Sequence, residues 1–462
     1  MPPWLEQFLP ILILLAVVAL VLWRLPKVEI DHSDAFRRRR FLNWLPLGLT
    51  YAFLYMGRYN LTVAKSAFAE RGLMTNEDFG LIFMVGAWVY GIAFLINGPL
   101  CDRWGGRRTI LVGTAGSAVA NVLMGLVVVF DWTANLFPLY CVLFGINMYF
   151  QSFGAVSIVK VNAGWFHVRE RGVLGGIFGI LISLGIYFAF DWNGAILRAT
   201  SVEWVFFAPA AIMVVFFVID VFVIRDDPAG AGFENFDLGD ATSGESEEPD
   251  GLAVVLRRML SSRVILIIAA IEFCSGFLRN STMQWGRIFS KQTGVTEDFI
   301  FANWGLMMCL AGILAGMFSG IISDYVFNSR RGPVAAILYA GLAVGTAAIF
   351  FALGSPAIGW ALIFMQLCVI GVHGMLSGTA SADFGGRKNA GVAVGLIDGC
   401  VYAGTGLQAV ILGKVLPDGE AAKDPANWAI WPVVMMPLAV LGLFLALRIW
   451  NAKPKSQAAA AH

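Results

Sequence analysis

The chain has 462 residues, of which 58% are hydrophobic and 14% charged, with a mean hydropathy of +0.74 and a net charge of +1. That length would make two or three soluble domains, but the composition belongs to a bilayer. The balanced charge offers nothing to a nucleic acid, and the apolar content excludes a disordered or disulfide-stapled secreted chain.

Apolar runs long enough for a transmembrane helix, about 20 residues, fall near 8–24, 41–64, 79–100, 109–131, 135–161, 171–191, 203–224, 262–287, 299–322, 333–353, 357–382, 389–414 and 427–449. The first, Phe8 to Trp23, lacks a basic n-region and a small-residue cleavage site, so it is expected as a retained helix in addition to twelve others. The domains expected are an extra N-terminal helix with its basic segment over 1–40, a six-helix bundle over 41–224, and an acidic linker over 225–261. A second six-helix bundle over 262–450 and a tail over 451–462 complete the chain. The linker carries Glu245, Glu247, Glu248 and Asp250 and shows no periodicity.

Alternate links between the runs differ sharply in basic residues. Arg24, Lys27, Arg37 to Arg40, Arg103, Arg107, Arg108, Arg169, Arg171, Arg225, Arg257, Arg258, Arg263, Arg330, Arg331, Arg387, Lys388, Arg448, Lys453 and Lys455 fall on one face. Only Lys65, Arg71, Arg198, Arg287, Lys291, Lys414 and Lys423 fall on the other. The positive-inside rule then puts the linker and C-terminus in the cytoplasm and the N-terminus outside. Compact loops and short termini suggest a bacterial inner membrane.

The two bundles repeat each other. Thr75-Asn-Glu-Asp78-Phe79 and Thr296-Glu-Asp298-Phe299 each open a Gly-rich helix as an N-cap would, and those helices end in Gly98-Pro-Leu-Cys-Asp102-Arg103-Trp-Gly-Gly-Arg107-Arg108 and in Gly320-Ile-Ile-Ser-Asp324. Arg58 precedes Asp78, and Arg279 precedes Asp298, by nearly the same interval, so the two arginines occupy equivalent depths. A repeated bundle with a site at mid-membrane is the plan of a secondary transporter.

A charge at the membrane centre costs about 2.5 to 3.5 kcal/mol on insertion scales and persists only when paired, hydrated or used. Arg58 and Arg279 each offer a planar fork of donors suited to phosphate or carboxylate. The alternative is that each neutralises a structural carboxylate, such as Glu272 one heptad before Arg279. Tyr51 and Tyr55 share a helix face with Arg58, where their hydroxyls could complete an anion's hydrogen bonds or simply pack. Asp398 could carry a coupling proton or pair with a cation. Lys160 could touch the ligand or snorkel, and His373 reads as a satisfied core histidine. Asp220 and Asp191, near helix ends, are expected to be solvated. Asp102 and Asp324, beside Arg103, Arg107, Arg108 and Arg331, are expected to form cytoplasmic salt bridges that make and break during gating. The cysteines, Cys101, Cys141, Cys274, Cys309, Cys368 and Cys400, lie in separate apolar stretches without metal-ligand spacing, and no cofactor is expected.

Gly98 to Arg108 resembles the loop signature of the major facilitator superfamily. More narrowly, the chain resembles the organophosphate:phosphate antiporter family over about residues 41 to 450. The resemblance is carried by Arg58-Tyr-Asn60-Leu-Thr-Val-Ala-Lys65, Trp165-Phe-His-Val-Arg169-Glu170-Arg171-Gly172, Arg225-Asp226-Asp-Pro228 with Gly232, Leu278-Arg279, and Ser381-Ala-Asp383-Phe-Gly385 with Ile397-Asp398-Gly399. It implies that Arg58 and Arg279 bind substrate phosphate, with Tyr51, Tyr55, Tyr402 and Gln151 on matching site positions and Lys160 on a matching basic one. The chain departs from the family at Tyr59, Gln284, Phe94 and Ile182, which leaves a less cationic pocket.

The expectation is therefore an all-α polytopic membrane protein of the major facilitator fold, two pseudo-symmetric six-helix bundles plus one extra N-terminal helix. It would exchange an organic phosphate or related anion for inorganic phosphate by alternating access, as a monomer in the lipid bilayer. The alternatives are proton symport of a carboxylate and a transporter-like membrane sensor. An enzyme is not expected, since no nucleophile, base and orienting group occur together.

Overall fold

A computed structural model describes residues 16, 18–20, 32–167, 170–236, 257, 259–295, 298–327, 330–376 and 390–452. The described residues form helices and connecting turns, with no strand among them. Within hydrocarbon, a helix satisfies its own backbone donors and acceptors, which an open strand cannot do.

Among the described residues, twelve long helices follow in order. In the first bundle they are α1 (Asp34–Glu70), α2 (Asn76–Trp104), α3 (Gly106–Val129), α4 (Leu136–Trp165), α5 (Arg171–Tyr187) and α6 (Trp204–Val223). The second bundle holds α7 (Arg263–Gln292), α8 (Trp304–Ile321), α9 (Arg331–Ala352), α10 (Ala357–His373), α11 (Ala390–Val415) and α12 (Ile430–Arg448). Wide π turns extend α5 over Phe188–Trp192 and α8 over Ile322–Val326. Among the described residues, eleven helical stretches are long and apolar enough to cross a membrane. The twelfth, α1, is longer at 37 residues but polar at Asn43, Tyr51, Tyr55, Arg58, Tyr59 and Asn60, which lowers its hydropathy. Most of the extra helix expected over Phe8 to Trp23, most of the acidic linker, and Arg169, Ser381, Asp383 and Gly385 lie outside the described residues.

The expected cap at Thr75 and Asp78 is present as a reciprocal box. Asp78 Oδ2 accepts from Thr75 N at 2.9 Å, and Thr75 Oγ1 accepts from Asp78 N at 3.1 Å.

The chain divides into two compact units, one of Met1–Val63, Ile96–Ala134 and Ile146–Glu248, the other of Ala64–Leu95, Asn135–Gly145 and Pro249–His462. In the first unit, α3 packs along α6, and the segment after α6 ties the neighbouring helix ends together. Arg39 donates to Val223 O at 2.7 Å, Asn43 exchanges hydrogen bonds with the Arg225 backbone, and Trp165 Nε1 reaches Arg225 O at 2.9 Å. Asp226 Oδ1 accepts from Arg107 N at 2.7 Å and so caps the start of α3, beside Gly105 at φ 84°, where a Cβ would meet the Asp226 carboxylate. The Arg225-Asp226-Asp-Pro228 motif is thereby structural, a staple across α1, α3 and α4.

In the second unit, α7 is the central helix, packed on α10, α11 and α12, while α9 lies against α10 and α12. Gly276 of α7 sits against Val401 O, and Gly404 of α11 against Phe273 O, so closely that a Cβ on either glycine would run into the facing carbonyl. Small residues let two membrane helices approach at backbone distance.

Candidate functional site

Arg58 lies in mid-helix on α1 at 1% exposure. Its Nη2 donates to Gln151 Oε1 at 3.3 Å, and Gln151 Nε2 in turn donates to Leu54 O at 2.8 Å, so the glutamine is held by the helix it serves. The guanidinium carbon stands 4.4 Å from the Tyr55 ring centroid, a cation–π contact. Tyr51 and Tyr55 meet edge to face at 5.4 Å, and Tyr51 lies over Gly154 of α4, where a Cβ would come within 2.8 Å of its ring. The structure thus gathers Arg58, Tyr51, Tyr55 and Gln151 on one side of α1.

Beneath them runs an amide ladder that the sequence reading missed. Asn60 donates to Asn121 at 2.6 Å, Asn121 to Asn147 at 3.1 Å, and Asn147 to Gly57 O at 2.8 Å. All three asparagines are fully buried. The available signal was the isolated Asn within otherwise apolar runs, since a buried amide needs partners. Asn147→Leu keeps the branched shape but replaces the amide's donor and acceptor with methyl groups, so it is expected to cost about 1 to 3 kcal/mol. Thermal unfolding in detergent, compared with an exposed α4 substitution such as Val159→Leu, measures it.

In the second unit, the half-buried Arg279 of α7 is followed along its helix by hydrogen-bonded amides and a hydroxyl. Asn280 donates to Thr405 Oγ1 at 2.9 Å and accepts from Gln284 at 3.2 Å, while Thr282 donates to Gln366 at 3.1 Å. Gln366 on α10, buried and unforeseen from the sequence, occupies the fourth helix of its bundle as Gln151 does in the other. Tyr402 packs on Tyr90 at 4.3 Å and on Phe94 at 6.4 Å, and the half-buried Asp398 lies one turn before it on α11.

Several charged residues stand elsewhere than expected. Lys160 pairs with Asp102 at 2.7 Å, with side chains 42% and 71% exposed. The cation given to the ligand or the lipid interface is therefore at the surface on the carboxylate expected to pair with arginine. Arg107 instead donates to Val221 O at 2.6 Å, Arg103 and Arg108 are exposed, and Arg331 donates to Ser323 at 2.7 Å. The Asp324 side chain is outside the described set. Asp220 is not solvated: it is fully buried on α6, and Thr50 of α1 donates to its Oδ2 at 2.7 Å. Its turn of α6 faces a neighbouring helix, and proximity to a helix end says nothing about that. Asp191 is half-buried in the π turn after α5. Glu272, offered as the partner of Arg279, holds His373 at 2.9 Å.

One end of the second unit is sealed. The last turns of α1 and the start of α2 meet α7, α11 and the following loop, where Asp418 accepts from Asn76 N at 2.6 Å and from Gln292 at 3.4 Å. Lys65, 1% exposed, stands 3.8 Å from Asp418, and Asn76 donates to Pro417 O at 2.7 Å. The Phe79 and Trp285 rings meet edge to face at 5.6 Å. Removing Asp418 leaves a buried ammonium without its compensating charge. An Ala409→Cys probe in a background lacking the native cysteines, buried behind this seal, is expected to react several-fold faster with an impermeant maleimide when Asp418→Ala is added.

Among the described residues, twelve long helices, with one arginine within α1 beside an amide and a phenol ring and another within α7, are those of a polytopic membrane carrier. The chain belongs to the Major Facilitator Superfamily, whose family model matches residues 47–409. It is 25% identical to the Glycerol-3-phosphate transporter of Bacillus subtilis (strain 168), over 94% of this chain and 98% of that protein. It is also 25% identical to the Membrane sensor protein UhpC of Escherichia coli (strain K12), over 94% of this chain and 96% of that one. Among solved structures, a bacterial homolog to the human lysosomal transporter Spinster superposes with TM-score 0.70 at 14% identity, covering 91% of this chain and 98% of that one. The superfamily resemblance and the all-helical fold are thereby confirmed, and the relatives agree with the narrower organophosphate:phosphate resemblance.

Proposed function

We propose that this chain is a secondary transporter that exchanges an organic phosphate for inorganic phosphate by alternating access, with Arg58 and Arg279 as the anion's ligands. The observation that carries this reading is Arg58 itself. It is a guanidinium almost wholly buried in mid-helix, oriented by the neutral amide of Gln151 and the face of Tyr55. An always-ionised fork kept at such a site at the cost of desolvation suits a tetrahedral oxyanion, which accepts two parallel hydrogen bonds. Arg279 repeats the placement in the second bundle. Tyr51 and Tyr55 add phenol groups on the face of α1 that carries Arg58. Similarity to the Glycerol-3-phosphate transporter supports phosphate-ester chemistry. The distribution of Lys and Arg supports a cytoplasmic C-terminus, and the bacterial relatives support an inner-membrane location.

Purified protein reconstituted into phosphate-loaded liposomes tests this directly. Labelled phosphate is expected to enter only when phosphate is present inside, and organic phosphates are expected to compete better than matched carboxylates. A second reading, a membrane sensor of an organic phosphate, is favoured by the similarity to UhpC. Binding of the organic phosphate without any exchange would select it.

A further inference from the structure

Lys65 is a buried cation that the central site leaves unused. It stands near the end of α1, two helical turns beyond Arg58 on the same face. Its ammonium is 1% exposed and has no hydrogen-bond partner among the described residues. Asp418, at 3.8 Å, supplies an opposite charge but not a hydrogen bond. An ammonium has three donors, and burying it with all of them idle is costly.

Asp418 reaches Lys65 from the loop after α11 and is 35% exposed, so it is free to withdraw. What it would leave behind is a set of donors. Asn76 N, at the first residue of α2, donates to Asp418 Oδ2 at 2.6 Å, and Gln292 Nε2, at the end of α7, reaches Oδ1 at 3.4 Å. These two residues do not need Asp418 to hold them. Asn76 Nδ2 donates to Gln292 Oε1 at 3.4 Å, and Gln292 Nε2 to Asn76 Oδ1 at 3.3 Å. The start of α2 adds the positive end of a helix of 29 residues. The neighbouring charges are matched among themselves: Glu77 stands 3.8 Å from Lys414, Glu420 takes Lys423 at 2.6 Å, and Asp78 is held in its capping box. All of these residues from Lys65 onward belong to the second compact unit.

An ammonium, a backbone N–H and a side-chain amide thus converge on a carboxylate carried in by a surface loop, which is the donor set of an oxyanion site with a tethered anion in it. We infer that Lys65, with Asn76 N and Gln292, is an outer binding site for a phosphate-type oxyanion, filled by Asp418 in this structure and by the entering anion once Asp418 withdraws. The inference rests on the anion-transport reading above and adds a waypoint on the side where the Lys and Arg distribution puts the end of α1. An anion on Lys65 repels Asp418, so the outer end closes only after the anion has moved inward.

Phosphate exchange by the purified full-length protein in vesicles, with phosphate varied on one face at a time, tests this. Asp418→Asn keeps an oxygen for Asn76 and Gln292 and removes the competing charge, so it is expected to lower the half-saturating phosphate concentration on the outer face several-fold. Adding Lys65→Met, which keeps the stem and removes the ammonium, is expected to raise that value about 10-fold and leave the inner-face value unchanged. Adding Lys65→Arg instead, which keeps a cation, is expected to leave the outer-face value low. A lysine that only seals has no such effect once residue 418 is neutral, so an outer-face value indifferent to Lys65→Met overturns the outer site. Calorimetric titration with inorganic phosphate separates it from the central site. Asp418→Asn is expected to bind one more phosphate per chain than Asp418→Asn with Lys65→Met, and to keep that difference when Arg58→Lys is added to both. Equal stoichiometries overturn the outer site and leave the central one standing. Phosphate binding that depends on Lys65 but not on Arg58 or Arg279 overturns the central reading instead, and no binding by any of the proteins overturns both.

Discussion

Arg58→Lys is expected to lose phosphate exchange by roughly 10- to 100-fold while folding normally. The substitution keeps the charge and shortens nothing essential to packing, since the stem still fills the space beside Tyr55. What it removes is the second limb of the fork. A hydrogen bond to a charged group is worth about 1.5 to 3 kcal/mol, and about 1.4 kcal/mol is tenfold in affinity, which sets the range. An ammonium has three donors, but all on one nitrogen, so it cannot offer the anion the planar pair of parallel hydrogen bonds while also reaching Gln151. The measurement is labelled phosphate exchange in liposomes beside thermal unfolding in detergent. Full exchange in Arg58→Lys would mean that the site reads charge alone. Arg279→Lys is expected to behave alike if it is the anion's second ligand as proposed, since it too would lose a planar fork.

Gly276→Val is expected to destabilise the protein most among single substitutions in the second bundle. The first atom added meets the Val401 carbonyl, which is backbone and cannot rotate away, and the reciprocal contact of Gly404 with Phe273 O leaves the two helices no direction in which to give. Overpacking typically costs about 1 to 3 kcal/mol and more when a backbone must move. The same displacement would shift Asn280 from Thr405 and so disturb the seat of Arg279. Gly316→Val on α8, where a Cβ meets nothing within 4 Å, is the control. Thermal unfolding is expected to separate the two by several degrees; equal stability would show that the helices part easily at this crossing.

Much of this was legible from the chain alone. Transmembrane helices announce themselves because hydrocarbon thickness demands a long apolar run, and the reciprocal cap of Thr75 and Asp78 is a local pattern. The cost of a mid-membrane charge singled out Arg58 and Arg279, since a residue expensive to bury is retained for a reason. The duplicated spacing to Asp78 and Asp298 then made them a pair.

The partners were not legible. Glu272 was set against Arg279 on its own helix and took His373 of α10. Lys160 was divided between ligand and lipid and took Asp102. Asp220, judged by its nearness to a helix end, turned out sealed against Thr50. The ladder of Asn60, Asn121 and Asn147 passed unnoticed, although each asparagine stands out in its own run. A hydropathy run gives depth in the membrane but not the rotational phase of one helix against another distant in sequence. The sequence determined which residues lie at mid-membrane and what charge each carries there. Only the packing of α1 against α4 and α6, and of α7 against α10 and α11, decided which of them touch. A side chain's partner depends on both helices' rotation and on small residues, such as Gly276 and Gly404, that set how closely they approach.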